Sequence, residues 1–306
     1  MLKVDTISYG GWKRCLRLTN REIELIVTLE VGPRIIRCGF IGGQNEFAEY
    51  PEQMGRAGDP EYHSYGGHRL WVAPEDKGRT YYPDNHHVEW MVHGEALLLK
   101  AQAESHLRIQ KEMEIWIDPH LNTVHVIHRI RNCAHESLAL SAWAISVMAP
   151  GGRAIIPQET FRPHPEVLQP IRSMALWSYS KMGDPRWTWG SRYIQLRQDP
   201  GMQDPQKIGL QNSQGWLAYH NGNRLFVKTV PFKPNAAYPD FQCNAEVFTN
   251  ARMLELETLS PVTSIQPEGF LQHEEHWFLY RDVRIGSSDE EIADGLNGLL
   301  TPRTSR

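Results

Sequence analysis

NAEVFTNARMLELETLSPVTSIQPEGFLQHEEHWFLY, residues 244–280, carries the strand pattern from which the expected architecture follows. In an extended strand side chains alternate, so Met253, Glu255, Glu257 and Leu259 share one face while Leu254, Leu256 and Thr258 take the other. Two carboxylates then stand in one apolar-flanked row. Pro261 ends that strand, Pro267, Glu268 and Gly269 supply turn chemistry, and the run from Phe270 to Tyr280 reads as a returning strand. A strand with acids at alternate positions faces water, pairs them with cations, or lines a site.

Outward from this stretch the same period of two recurs. Glu22–Thr28 and Arg34–Phe40 read as a meander with corners at Gly32-Pro33 and Gly42-Gly43. Three runs, ALLLKAQ from Ala96, LRIQKEMEIWID from Leu107 and TVHVIHRIRN from Thr123, lead into SLALSAWAISVM from Ser137. In the third, Val124, Val126, His128 and Ile130 alternate against His125, Ile127, Arg129 and Arg131. Residues 157–206 are rich in Pro and hold Trp177, Trp187 and Trp189; linkers rarely carry so much Trp, so this reads as an excursion across the sheets. Strands resume at GWLAYHN from Gly215 and RLFVKTV from Arg224. One helix is predicted, near the end: Ser288 and Glu291 make a capping box, Ile292, Leu296, Leu299 and Leu300 follow at helical spacing, and the helix is expected to pack on a sheet edge. No repeat or boundary divides residues 1–306, which predicts a single all-β, antiparallel domain.

At 306 residues the chain can bury a large core. A formal charge of -4 gives no electrostatic case for nucleic acid or an anionic membrane. The N-terminus MLKVDTISYGGWKRC lacks the apolar stretch of a signal peptide, and no segment approaches a membrane span, so a cytoplasmic location is expected. Cys15, Cys38, Cys133 and Cys243 stand singly, which fits reduced thiols and no disulfide. The unusual residues are 10 Trp and 14 His. Trp in an all-β chain packs cores, and it also offers flat platforms for sugar rings. Residues 61–90, EYHSYGGHRLWVAPEDKGRTYYPDNHHVEW, read as an aperiodic loop region and a candidate site wall. The crowding of His63, His68, His86, His87 and His93 matches no metal-ligand spacing, and no metal is expected. Neither a phosphate-binding Gly loop nor GxSxG occurs. What remains is acid–base chemistry from His and Glu in an aromatic-lined groove.

The segments LEVGPRIIRCGFIGGQNEF (29–47), GGHRLWVAPE (66–75), LELETLSP (254–261) and QPEG (266–269) together resemble, in order along the chain, the galactose mutarotase-like (aldose 1-epimerase-like) proteins. The resemblance implies a large antiparallel β-supersandwich with an open groove for a hexose and no cofactor. It implies that Glu257 is the general base on the anomeric hydroxyl and that a His protonates the ring oxygen. The position of that His falls here at Trp143 or Ala144, so His68 or His87 is the candidate replacement; His125 and His128 are weaker, because their apolar neighbours suit core packing. The expected substrate-binding residues are Arg69, Trp71, Glu75, Asp84, Asn85, Trp143, Lys207, Glu246 and Glu255, with Arg and Asn as fixed donors to hydroxyls and Trp stacking on a ring. The expected partner is a small-molecule carbohydrate, held by a monomer or homodimer. A noncatalytic sugar-binding or regulatory protein on the same fold is the alternative. A hydrolase or lyase using Glu255 and Glu257 comes third, since residues two apart on a strand lie ~7 Å apart and point the same way, whereas glycosidase carboxylates flank the sugar.

Overall fold

Strands with one apolar face must bury it, and this chain does so by stacking two antiparallel sheets. The computed structural model describes residues 3–300. From edge to edge the first sheet runs β1 (Lys3–Tyr9), β2 (Trp12–Thr19), β3 (Ile23–Thr28), β4 (Arg34–Phe40), β5 (His68–Ala73), β10 (Leu138–Val147), β19 (Leu254–Leu259), β18 (Ala245–Thr249), β15 (Gln206–Leu210) and β12 (Met174–Leu176), with β20 (Thr263–Ile265) paired to β10. The second runs β13 (Trp187–Trp189), β14 (Tyr193–Arg197), β11 (Arg153–Pro157), β16 (Trp216–Asn221), β17 (Arg224–Thr229), β21 (Phe270–Arg281), β9 (Thr123–Asn132), β8 (Ile109–Ile117), β7 (Ala96–Lys100) and β6 (Glu89–His93). Between them lies the main core, with Leu16, Leu18, Leu254 and Leu256 from the first sheet against Met113, Val126, Phe226 and Trp277 from the second. Each such side chain, fully buried, contributes about 1.5–3 kcal/mol.

Alternation on β19 is as the sequence indicates: Leu254 and Leu256 enter the core, and Glu255 and Glu257 point away from it. Three expectations need correction. Phe270–Arg281 does return antiparallel, yet it crosses to the second sheet and pairs with β9 and β17 instead of β19. The loop reading of residues 61–90 overlooked β5, a central strand buried along its whole length, and the edge strand β6. A strand covered on both faces loses the polar–apolar alternation that would reveal it. Gly66 and Gly67 lead into β5 at φ 90° and 72°; a Cβ on either would lie 2.1 Å from the Ala48 carbonyl oxygen or 2.4 Å from that of Ile35, so only glycine lets the chain pass there. Finally, the capped helix Asp289–Leu296 packs on the outer face of the second sheet rather than on its edge, burying Ile292 and Leu296 against Ile155, Ala218 and Leu225.

Candidate functional site

Register across the first sheet assembles the site. Glu257 stands opposite Ile145 on β10 and Glu246 on β18, and Ile145 stands opposite Arg69 on β5. One step along, Leu259 pairs with Trp143 and Trp143 with Trp71; one step back, Glu255 pairs with Phe248, which pairs with Lys207. All of these occupy the face turned away from the second sheet. There they line or underlie a cleft of about 460 Å³ bounded by Tyr62, Arg69, Trp71, Glu75, Tyr81, Trp143, Tyr179, Lys207, Asn250 and Glu255. That volume falls within the range of small-molecule sites.

Glu246 and Glu257 are like charges directly opposite on neighbouring strands, an arrangement that is destabilising unless bridged. Lys207 bridges them, its Nζ 2.7 Å from Glu246 Oε2 and 2.9 Å from Glu257 Oε2. The ammonium also lies 4.6 Å from the ring centres of Trp143 and Trp177. Trp143 Nε1 donates to the same Glu257 oxygen at 2.8 Å, so Oε2 is fixed while the buried Oε1 has no partner. Arg69 donates to Glu255 Oε1 at 3.1 Å and stacks on Trp71 at 4.4 Å, leaving its Nε and Nη1 unpartnered. At the rim the Tyr81 hydroxyl donates to Glu75.

Burial drives the Glu246 carboxyl well above the usual carboxylate range against the pull of Lys207, and Glu257 and Asp240 add to the rise. It raises Glu255 as well, with Arg69 opposing. For Lys207 burial works to lower the pKa, but Glu246 and Glu257 outweigh it and hold the ammonium charged. Asp240 comes to this group on a turn at Pro239–Gln242, whose Asp240, Phe241 and Gln242 are left-handed at φ 49°, 60° and 77°. Non-glycine residues rarely adopt that region, at a cost of ~1–2 kcal/mol each, and such strain concentrates at functional sites.

On the reverse face of the same strands lies a second polar cluster, enclosed between the sheets. His68 Nδ1 meets Ser146 Oγ at 2.8 Å, and His68 Nε2 meets His128 Nε2 at 2.7 Å. Glu275 accepts from Trp277 Nε1 at 2.9 Å and from the Thr258 hydroxyl, and pairs with Lys228 at 3.0 Å. Lys228 also donates to the Leu256 carbonyl at 3.2 Å, and His273 Nε2 meets Thr258 Oγ1 at 2.8 Å. Burial lowers His68 well below its ordinary value, His128 to about 4 and His273 to about 3, so all three rings are neutral near pH 7. His68, His128 and Glu275 have ligand atoms within 4.8 Å of one another, a metal-compatible grouping among the described residues, in which the two His Nε2 atoms hydrogen-bond to each other and Glu275 accepts from Trp277.

The structure thus brings together Arg69, Trp71, Glu75, Trp143, Lys207, Glu246, Glu255 and Glu257. It does not bring His68 to the cleft: neighbours in a strand face opposite ways, and Arg69 holds the cleft face. His87 is exposed outside the cleft, Asp84 pairs with Lys111 at 3.1 Å, and Asn85 is buried against the Asp59 carbonyl. Sequence reasoning missed Tyr62 and Tyr81, which lie within the aromatic stretch it had marked, and Tyr179, Gln203 and Asn250, which sit in loops with no periodic signal.

No family sequence model and no curated protein matches the chain. Solved structures do. A candidate aldose 1-epimerase from Klebsiella pneumoniae superposes with a TM-score of 0.63 at 12% identity, over 96% of this chain and 85% of that one. A galactose mutarotase-like protein from Lactobacillus casei gives 0.56 at 8% identity, over 87% and 100%. A TPR-domain-containing protein from Parabacteroides distasonis gives 0.59 at 11% identity over 89% of this chain, which spans about half (48%) of that longer protein. With two stacked antiparallel sheets, and with these neighbours, the chain has the galactose mutarotase-like fold.

Proposed function

We propose that the cleft binds a monosaccharide or sugar derivative and carries out aldose 1-epimerase-type proton transfer at its anomeric centre. The observation that carries the reading is the Glu257 carboxylate, one oxygen fixed by Trp143 and Lys207 and the other unpartnered beneath an aromatic-walled cleft. Glu257 Oε1 takes the anomeric proton, Trp71 and Trp143 pack on the ring, and Arg69 and Glu255 hold hydroxyls. A protonated Glu255 is suited to return a proton to the ring oxygen, since it lines the cleft and burial raises it. A second reading, a noncatalytic sugar binder, is favoured by one observation: no His lines the cleft among the described residues, and Trp143, whose indole does not give up its proton near neutral pH, lies beside the carboxylate. Saturation-transfer NMR of anomer interconversion across a panel of sugars separates the two. Acceleration by wild type and not by Glu257→Gln supports the enzyme; binding without acceleration supports the binder; neither binding nor acceleration by wild type overturns both.

A further inference from the structure

Resting on the carbohydrate reading above, we infer that the cleft selects neutral sugars and rejects anionic ones, phosphate esters and uronates alike, with Glu75 at the rim setting the discrimination. The first ground is the mixture of hydrogen-bonding groups. Unpartnered donors at Arg69 Nε and Nη1, Trp71 Nε1 and the Tyr62 and Ser64 hydroxyls share the site with acceptors at Glu75, Glu255 and Glu257 Oε1. A polyol, whose every hydroxyl both donates and accepts, satisfies such a mixture; a phosphate dianion, which only accepts, leaves the carboxylates unmatched.

The second ground is charge. Among the described residues the cations lining the cleft are Arg69 and Lys207, and both are already paired, Arg69 with Glu255 at 3.1 Å and Lys207 with Glu246 and Glu257 at 2.7 and 2.9 Å. Asp240 adds another carboxyl beside Glu246. Both cations are thus engaged, and Glu75, Glu257 and Asp240 crowd the same region, so an anion entering the cleft has to displace an existing partner of Arg69 or Lys207 and approach further carboxyls. Glu75 is exposed, forms no ion pair among the described residues, and is held only by the Tyr81 hydroxyl. It therefore projects a charge without a cationic partner at the rim of the cleft.

The test is ligand-observed NMR titration at low ionic strength with glucose, galactose and mannose, their 6-phosphates and their uronic acids, on wild type and Glu75→Lys. The expected result is neutral hexoses binding at least about tenfold more tightly than their anionic counterparts, a gap that narrows in Glu75→Lys and in added salt. Because Glu75 is exposed, the variant is expected to fold, and its own NMR spectrum verifies this. A phosphate or uronate binding as tightly as its neutral parent to wild type overturns the inference, as does an unchanged gap in Glu75→Lys. If no sugar of either class binds, the carbohydrate reading itself fails and takes the inference with it.

Discussion

The two faces of β19 carry polar clusters of opposite character. On the inner face His68, His128, His273, Lys228, Thr258 and Glu275 are sealed between the sheets, and the groups there find their partners in one another. On the outer face two nitrogens of Arg69 and the Trp71 indole, in residues that line an open cleft, and Glu257 Oε1, beneath the cleft-lining Trp143 and Lys207, are buried without partners. Burying a polar atom unmatched costs ~1–3 kcal/mol. A fold that closes one network and leaves the other incomplete a strand's thickness away has its incomplete face shaped for something other than stability. The histidines, which look like chemistry in the sequence, belong to the closed face.

That contrast can be broken most forcefully at the carboxylate row. Glu257→Gln is nearly isosteric, still accepts from Trp143 and leaves Lys207 paired with Glu246, so anomer interconversion should fall by ~10²–10⁴ with a smaller loss of unfolding free energy than the ~3–5 kcal/mol of an uncompensated buried charge; a loss of that size would place Glu257 with the structural groups. Lys228→Met is the mirror experiment. It leaves Glu275 buried without its cation, which should cost ~3–5 kcal/mol in a denaturant titration, while sugar affinity of the folded fraction stays at the wild-type level.

Acidity sharpens the comparison next. His128 and His273 have folded-state values of about 4 and about 3 against an ordinary 6.5, so the unfolded chain takes up their protons first. Their contribution to stability is present above about pH 6.5 and is lost as the pH falls toward 4 and then 3. The urea midpoint should decline across that window, and His128→Gln should flatten the decline. A wild-type profile level from pH 7 to 4 would contradict the neutral, closed network.

The smallest effect separates neighbours on β5. Trp71→Ala should weaken sugar binding of the folded protein severalfold to about tenfold through loss of the stacking surface. His68→Ala strips Ser146 and His128 of a partner and should lower the melting temperature without changing sugar affinity. Equal losses of binding in both would erase the distinction between the faces.

How much of this was legible in the chain follows from periodicity. The row Glu255 and Glu257 was readable because Leu254 and Leu256 alternate with it, and the terminal helix because Ser288 and Glu291 cap it. β5 was not, since HRLWVA is covered on both faces and offers no polar side to mark. The result was to group His68 with Arg69 and Trp71, although the alternation of a strand parts them. For Asp84 and Asn85 composition is the sole pointer to the site, whereas their side chains serve Lys111 and the Asp59 carbonyl. Tyr179, Gln203 and Asp240 reach the site from loops and a left-handed turn, where neither spacing nor composition reports direction.

The most direct measurement is a crystal structure of the protein saturated with whichever neutral hexose binds best. The expected density places the ring against Trp71 and Trp143, with hydroxyls within hydrogen-bonding distance of Glu257 Oε1 and of the Nε or Nη1 of Arg69. A sugar bound elsewhere on the molecule, with those atoms still unpartnered at saturation, would contradict it.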